Sequence, residues 1–294
     1  EAAQAWAEAW KLQQSCQMLE ASVRDMKQIA QGDSIRLSVG DIGSTDATQS
    51  KLEAQTLEGE LIALQAEYRN ALMVLSFMCG GESVTDMKGE TLPRHLFPYK
   101  EEEICRLAEA NRADLKAAEL SQSLSENNLR LVKASRRMEM NLSLGYSYNT
   151  EVRNEMAPAP KFNGLSVGVA IPLKFSNLNR GERRAATSQV LQSQKYYESA
   201  LMQVHMEAAQ AYNAFLAANI VLQKYDDNML QDARNIAENR KVGYQQGESS
   251  LIELLAAQQT YRDVMQAYID ACCNQFVCQK QLEFAIGVLP DIKK

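Results

Sequence analysis

The sequence predicts a mainly α-helical protein with a small β part, built as a tandem repeat of long antiparallel helical hairpins. Three observations carry that expectation. The 294 residues include only 6 Pro and 14 Gly, while Ala, Leu, Gln and Glu are abundant, which favours long helices over strands or disorder. A self-similarity runs through the chain at a nearly constant spacing. Between helical stretches, two short segments switch to strict alternation of apolar and small or polar residues.

The repeat organises the rest. Residues 1–6 read EAAQAW and residues 207–212 read EAAQAY; after a one-residue insertion Gly40 aligns with Gly247, Asp46 with Glu253, Leu75 with Leu282, Phe77 with Phe284 and Gly80 with Gly287. Chance likeness between Ala- and Gln-rich helices explains the first match. It does not explain glycines and aromatics kept in register over the following stretch.

Each copy reads as a long helical pattern, a Gly-containing break and a second helical pattern ending at Gly. The expected organisation is a partial first repeat over 1–80, a linker over 81–110, a second repeat over 111–287 and a tail over 288–294. The second repeat should hold a helix, a β-hairpin over 140–175 and a long helical hairpin over 178–287. Its break is placed at 242–250. The helix that follows repeats at three- and four-residue spacing through Leu251, Leu254, Gln258, Tyr261, Met265, Tyr268 and Cys272, a seam suited to antiparallel packing. Upstream, 179–244 lacks Pro and reads as one unbroken helix approaching ~100 Å at 1.5 Å per residue. Asn179 and Glu182 fit a capping box at its start.

In the first alternating segment Met140, Leu142, Leu144, Tyr146 and Tyr148 oppose Asn141, Ser143, Gly145, Ser147 and Asn149. In the second, Leu165, Val167, Val169, Ile171, Leu173 and Phe175 oppose Gly164, Ser166, Gly168, Ala170, Pro172 and Lys174. Such two-faced strands suit either a hairpin resting on a helix or tilted strands crossing a bilayer. Each is about the 9–11 residues that a bilayer-crossing strand needs, and the opposite face suits a wet lumen. Two strands cannot close a barrel, so others must come from further copies or further sequence.

Several classes are disfavoured. With 31 Lys+Arg against 37 Asp+Glu the formal charge is −6, which argues against nucleic acid as a partner. No apolar run of the length of a membrane helix occurs. Cys16, Cys79, Cys105, Cys272, Cys273 and Cys278 show no CxxC spacing and read as small apolar packing residues, and only His95 and His205 are present. No cofactor, metal site or catalytic constellation is expected, and the chain is not expected to be an enzyme.

LAEANRADLKAAEL at 107–120, GLSVGVAIPL at 164–173 and YQQGESSLIELLAAQ at 244–258, in this order and spacing, resemble the TolC-like outer-membrane factor family, with RLSVGDIGSTDATQ at 36–49 in the equivalent first-copy turn. The resemblance implies a bacterial outer-membrane exit duct of a tripartite efflux or type I secretion system. Its implied form is a homotrimer, with a twelve-stranded barrel over an α-helical tunnel lying mostly in the periplasm. The implied partners are a periplasmic adaptor, through it an inner-membrane pump, and outer-membrane lipid. Shifting the 140–175 hairpin back by one repeat places its counterpart before Glu1, so the chain reads as lacking the N-terminal part of the first repeat.

The same resemblance implies a passive conduit gated at the hairpin tips. Arg36, Gly40, Gly247 and Ser249 fall at tip and adaptor-contact positions; Asp46, Tyr244 and Glu253 fall at gate positions. Tyr244 is expected to hydrogen-bond Asp46, and copies of Glu253 to form an acidic ring favouring cations. For each carboxylate, a first-turn helix charge is the plainer reading. Ser249 stands where a gate arginine is expected and Ala256 where a second gate carboxylate is. Leu142, Leu144, Tyr146, Leu165, Val167 and Val169 would face lipid. Lys133, Arg136, Arg137, Lys174, Arg180, Arg183 and Arg184 bracket the strands, either at a barrel–tunnel junction or as a solvated cluster. The competing class is a soluble coiled-coil adaptor or scaffold; an adaptor of the same pumps would also carry Gly- and Val-rich lipoyl-like and β-barrel segments, and none is visible.

Overall fold

The computed structural model describes residues 1–85, 87, 92, 100–135, 140–151, 153, 156, 160–171, 180–225 and 227–288. Among these the order is α1 (Ala2–Ser38), α2 (Ser44–Met78), α3 (Glu101–Asn111), α4 (Ala113–Ala134), β1 (Asn141–Asn149), β2 (Phe162–Ala170), α5 (Arg180–Lys224), α6 (Asp227–Gln246) and α7 (Leu251–Ala285). The chain divides into two units, one of Glu1–Asn111 with His205–Lys294 and one of Arg112–Val204.

In the first unit α1 packs against both α2 and α7, and α6 packs against α7. The reason is the seam of α1: Leu12, Cys16, Leu19, Val23, Met26 and Ile29 are buried at three- to four-residue spacing, so one stripe of the helix faces its partners. Two apolar clusters result. One gathers Trp10, Leu72, Leu75, Leu222, Ile269 and Phe276, with the Trp6 and Phe276 rings 5.3 Å apart. The other gathers Leu19, Val23, Met26, Leu57, Tyr244 and Leu254 nearer the turns. Each such side chain contributes about 1.5–3 kcal/mol on burial.

The repeat is visible in the backbone. α2 and α7 are each 35 residues long and begin and end at aligned positions. The helices before the turns close with the same pair of hydrogen bonds. Asp41 N donates to Arg36 O at 2.9 Å and Gly40 N to Leu37 O at 3.0 Å; Glu248 N donates to Gly243 O at 2.8 Å and Gly247 N to Tyr244 O at 3.2 Å. α2 and α7 end likewise, through Gly81 and Gly80 in one and Val288 and Gly287 in the other. All four are Schellman motifs, which satisfy carbonyls that a helix end leaves free.

Several elements differ from the sequence expectation. The helix expected to run unbroken through 179–244 is two helices, α5 ending at Lys224 and α6 starting at Asp227. Tyr225 N bonds Leu222 O at 3.1 Å, a tightened last turn, and the sequence that follows is of Asp and Asn, residue types that favour helix ends over helix interiors. Gly243 stays helical, so the break placed at 242–250 narrows to 247–250. The 81–110 linker contains most of α3, whose first turn carries Glu101, Glu102 and Glu103. Asn179, Arg136, Arg137, Lys174, His95 and the strand positions 172–175 lie outside the described residues.

The second unit holds α4, the strand pair and the first part of α5. Arg112, extended at φ −67° and ψ 124°, separates α3 from α4. Its guanidinium grips both oxygens of Asp114, at 3.0 and 2.6 Å, and holds that carboxyl below its usual pKa. β1 and β2 pair antiparallel with Leu142 opposite Val169, Leu144 opposite Val167 and Tyr146 opposite Leu165. β2 begins two residues earlier than the alternation suggested, at Phe162.

Candidate gate at the helical turns and a two-faced β-hairpin

Gly40 and Gly247 each adopt φ 79°, and a Cβ added at either would meet nothing within 4 Å. Left-handed backbone, rather than lack of room, is what requires glycine at both turns. The turns differ in how the next helix starts. In the second, Ser250 and Glu253 form a capping box: Glu253 N donates to Ser250 Oγ at 3.3 Å and Ser250 N to Glu253 Oε2 at 3.0 Å. In the first, α2 starts from Gly43 with no side-chain cap, and Asp46 is an exposed acid in its first turn.

Glu253 therefore serves its own helix within this chain. The backbone bond from Ser250, followed by Arg240 at 3.7 Å, holds its carboxyl below the usual range. Arg240 also donates to Ser249 Oγ at 3.5 Å. Ser249 in turn lies over Gly243, where a Cβ would sit 2.6 Å from its Oγ. The second turn is thus braced from both sides.

The two hairpins meet at Tyr244, which α6 presents to α1. Its Oη donates to Asp33 Oδ1 at 2.8 Å, Asp33 is 1% exposed and Tyr244 6% exposed. Arg36, one turn beyond Asp33, donates from Nε to Asp41 Oδ2 at 2.6 Å and from Nη1 to the Tyr244 carbonyl at 3.3 Å. Its guanidinium lies 5.4 Å from the centre of the Tyr244 ring. Burial first, then the hydrogen bond and charge of Asp33, push the Tyr244 phenol well above its ordinary pKa of 10.0.

This corrects the expected Tyr244–Asp46 bond: the partner is Asp33, and Asp46 acts on the phenol only through space. Asp46 sits at the start of α2, pointing to solvent, whereas Asp33 lies on the buried stripe of α1. Asp33 was not singled out from sequence. The readable signal is its position, four residues after Ile29 and seven after Met26, where the apolar seam of α1 calls for another apolar side chain.

Further ion pairs tie the same helices. Lys241 meets Asp25 at 2.7 Å, Lys27 meets Glu58 at 2.6 Å and Arg262 meets Glu53 at 3.5 Å. A cleft of about 620 Å³ bordered by Asp25, Arg234, Glu238, Lys241, Gln258 and Tyr261 lies alongside, its four charges matched as Lys241–Asp25 and Arg234–Glu238.

The β-hairpin keeps its two faces distinct. Met140, Leu142, Leu144, Tyr146, Tyr148, Leu165, Val167, Val169 and Ile171 are all between 43% and 75% exposed, so among the described residues no helix covers the apolar side. On the other face serine stands opposite glycine three times, and Ser143, Ser147 and Ser166 donate to the carbonyls of Gly168, Gly164 and Gly145 at 3.3–3.5 Å. Lys133, Arg180, Arg183 and Arg184 are exposed near the strand ends in sequence.

Among the described residues no group of three His, Cys, Asp or Glu side chains is placed to hold a metal ion. Burial pushes the Cys273 thiol up to about 11 and raises Cys16, Cys105 and Cys278, which disfavours thiolate chemistry. Among the described residues no helix is long and apolar enough to cross a membrane.

Paired helical hairpins joined at their turns, together with a strand pair that exposes an apolar face of bilayer-crossing length, define a class of helical-tunnel, β-hairpin proteins. Residues 104–288 match the outer membrane efflux protein family, and the chain belongs to it. It is 26% identical over 266 residues to the cobalt-zinc-cadmium resistance protein CzcC of Cupriavidus metallidurans, covering 88% of this chain and 60% of that one. It is 22% identical over 265 residues to the outer membrane protein TolC of Vibrio cholerae, covering 87% and 60%. The chain thus spans 60% of the length of these relatives. In fold it is similar to the outer membrane protein VceC of Vibrio cholerae, with TM-score 0.74, 18% identity and coverage of 97% of this chain and 68% of that one. For the outer-membrane channel OprN the values are 0.78, 18%, 98% and 65%.

Proposed function

We propose that this chain forms part of the wall of a bacterial outer-membrane exit duct, a passive conduit that closes at the turns of its helical hairpins. The observation that carries the reading is the β-hairpin: nine paired residues per strand, one face apolar but for Asn163 at its end and uncovered, the other made of Ser, Gly, Ala and Asn with Phe162 at its end. Such a pair is long enough to cross a bilayer when tilted, and lipid would cover what the chain leaves bare. Open strand edges are not stable in lipid, so the barrel is completed by strands beyond this pair, in a homotrimer. The hairpin turns, with Arg36, Gly40, Gly247 and Ser249 at their ends, point to contact with a periplasmic adaptor and, through it, an inner-membrane pump. No step in this role requires catalysis.

Tyr244 is the latch of the proposed gate, joined to Asp33. Asp46 and Glu253, exposed in the first turns of α2 and α7, would carry negative charge to the constriction and favour cations there. A soluble adaptor would need its hairpin covered, and no described residue does so.

The test is reconstitution of the whole protein in planar bilayers, alongside its mass in detergent. A conducting trimer is expected, with cation preference reduced in Asp46→Ala and Glu253→Gln. A monodisperse monomer that does not conduct would overturn the duct, and unchanged ion preference in both variants would overturn the gate assignment.

A further inference from the structure

Asp33 is anomalous in the seam of α1. It is 1% exposed, it has one hydrogen bond, from Tyr244 at 2.8 Å, and its second oxygen meets no donor among the described residues. A carboxylate withdrawn from water loses more hydration than a single phenol hydrogen bond returns, and full compensation needs a bonded cation or several donors. The nearest cation does not supply this. Arg36 spends Nε on Asp41 and Nη1 on the Tyr244 carbonyl, so it attracts Asp33 only through space. The cluster that holds its partner Tyr244 is otherwise apolar, with Met26 and Ile29 from α1, Ala54 and Leu57 from α2, and Leu251 and Leu254 from α7.

Two consequences oppose each other at one side chain. The carboxylate fixes Tyr244 and with it the end of α6. It also raises the free energy of the closed packing relative to any arrangement in which α6 moves away and water reaches Asp33. We propose that Asp33 is a built-in release element of the latch: its buried, under-compensated charge keeps the closed turn region close in free energy to an open one. This rests on the duct reading and names the regulation of that gate. A small push on α6, such as an adaptor binding at the turns would give, then suffices to open it. An apolar or amide residue at the same position would make a firmer closure.

The substitution that isolates the charge is Asp33→Asn, which keeps the shape and the acceptor for Tyr244. Tyr244→Phe removes the donor and leaves the charge. Amide hydrogen exchange of residues 243–250 in the whole protein, and single-channel conductance of the same samples, are the two readouts. Asp33→Asn is expected to slow exchange about tenfold and to lower open probability; Tyr244→Phe is expected to accelerate exchange about tenfold and to raise it. Exchange in Asp33→Asn as fast as or faster than wild type would overturn the proposal, because the charge would then be a net stabiliser. Global protection along α1 and α7 in each sample identifies a variant that failed to fold, and Asp33→Ser, expected between wild type and Asp33→Asn, replaces it. The expected exchange order with no conductance in any sample, wild type included, would support the imbalance at Asp33 and overturn the duct instead.

Discussion

Tyr244 on α6 donates its phenol hydrogen to Asp33 on α1 at 2.8 Å across 211 positions of sequence. With Arg36 on the Tyr244 carbonyl, the bond ties the ends of the two repeat-related helices that lead into the turns. The repeat does not pair equivalent residues here: position 33 aligns with Arg240 and position 244 with Leu37, so each copy supplies one half of the contact.

Alkaline titration should report on this bond. The folded-state pKa of Tyr244 is raised above 10.0, so its contribution to stability is fully present below pH 10 and is lost as pH rises toward the folded value. Urea midpoints measured from pH 7 to 11 should fall more steeply in wild type than in Tyr244→Phe. At pH 7 the variant should be less stable by about 1–3 kcal/mol, because a buried acceptor is left without its donor.

The two turns should respond differently to changes in their caps. Ser250→Ala removes one half of a capping box and should cost about 1 kcal/mol, whereas Gly43→Ser supplies α2 with the cap it lacks and should gain a few tenths. Acid acts on the second turn in the same direction as Ser250→Ala. The Glu253 carboxyl is held below 4.5, so its contribution is present above that pH and is lost as pH falls through its lowered folded value. Protection of the first amides of α7, taken against the intrinsic exchange rate at each pH from 7 to 3, should fall in wild type and change little in Glu253→Gln.

Glycine substitutions separate strain from crowding. Gly247→Ala and Gly40→Ala meet no atom but force an L-residue into φ 79°, a penalty of about 1–2 kcal/mol each. Gly243→Ala is helical and unstrained, yet its Cβ would lie 2.6 Å from Ser249 Oγ. Adding Ser249→Gly should therefore recover the loss at Gly243 and leave that at Gly247 unchanged, as thermal unfolding of the four variants would show.

The β-hairpin offers a test of its faces. Val167→Arg puts a charge on the apolar face and should cost about 2–4 kcal/mol in folded, membrane-inserted protein if that face meets the middle of a bilayer. Its neighbour Ser166→Asn, on the other face, should be tolerated. Equal recovery of both variants from liposomes would remove the lipid-facing assignment.

Sequence by itself determined what depends on neighbours along the chain. The period of apolar residues gave helices and strands, since side chains recur at 3.6 or 2 positions whatever they later touch. The aligned glycines marked Gly40 and Gly247 because a left-handed residue is a local demand, and strict alternation assigned Leu144 and Ser143 to opposite faces. Local chemistry was less legible where competing terms were close, as at the break after Lys224 and in α3. The tertiary structure alone decided which carboxylate Tyr244 meets. That choice depends on the axial stagger and rotation of α6 against α1, and a shift of a few ångströms along a helix exchanges one turn's side chains for the next. Asp46, the residue chosen by alignment with a family pattern, is left exposed on α2, while Asp33 is carried into the core by the seam that buries Met26 and Ile29.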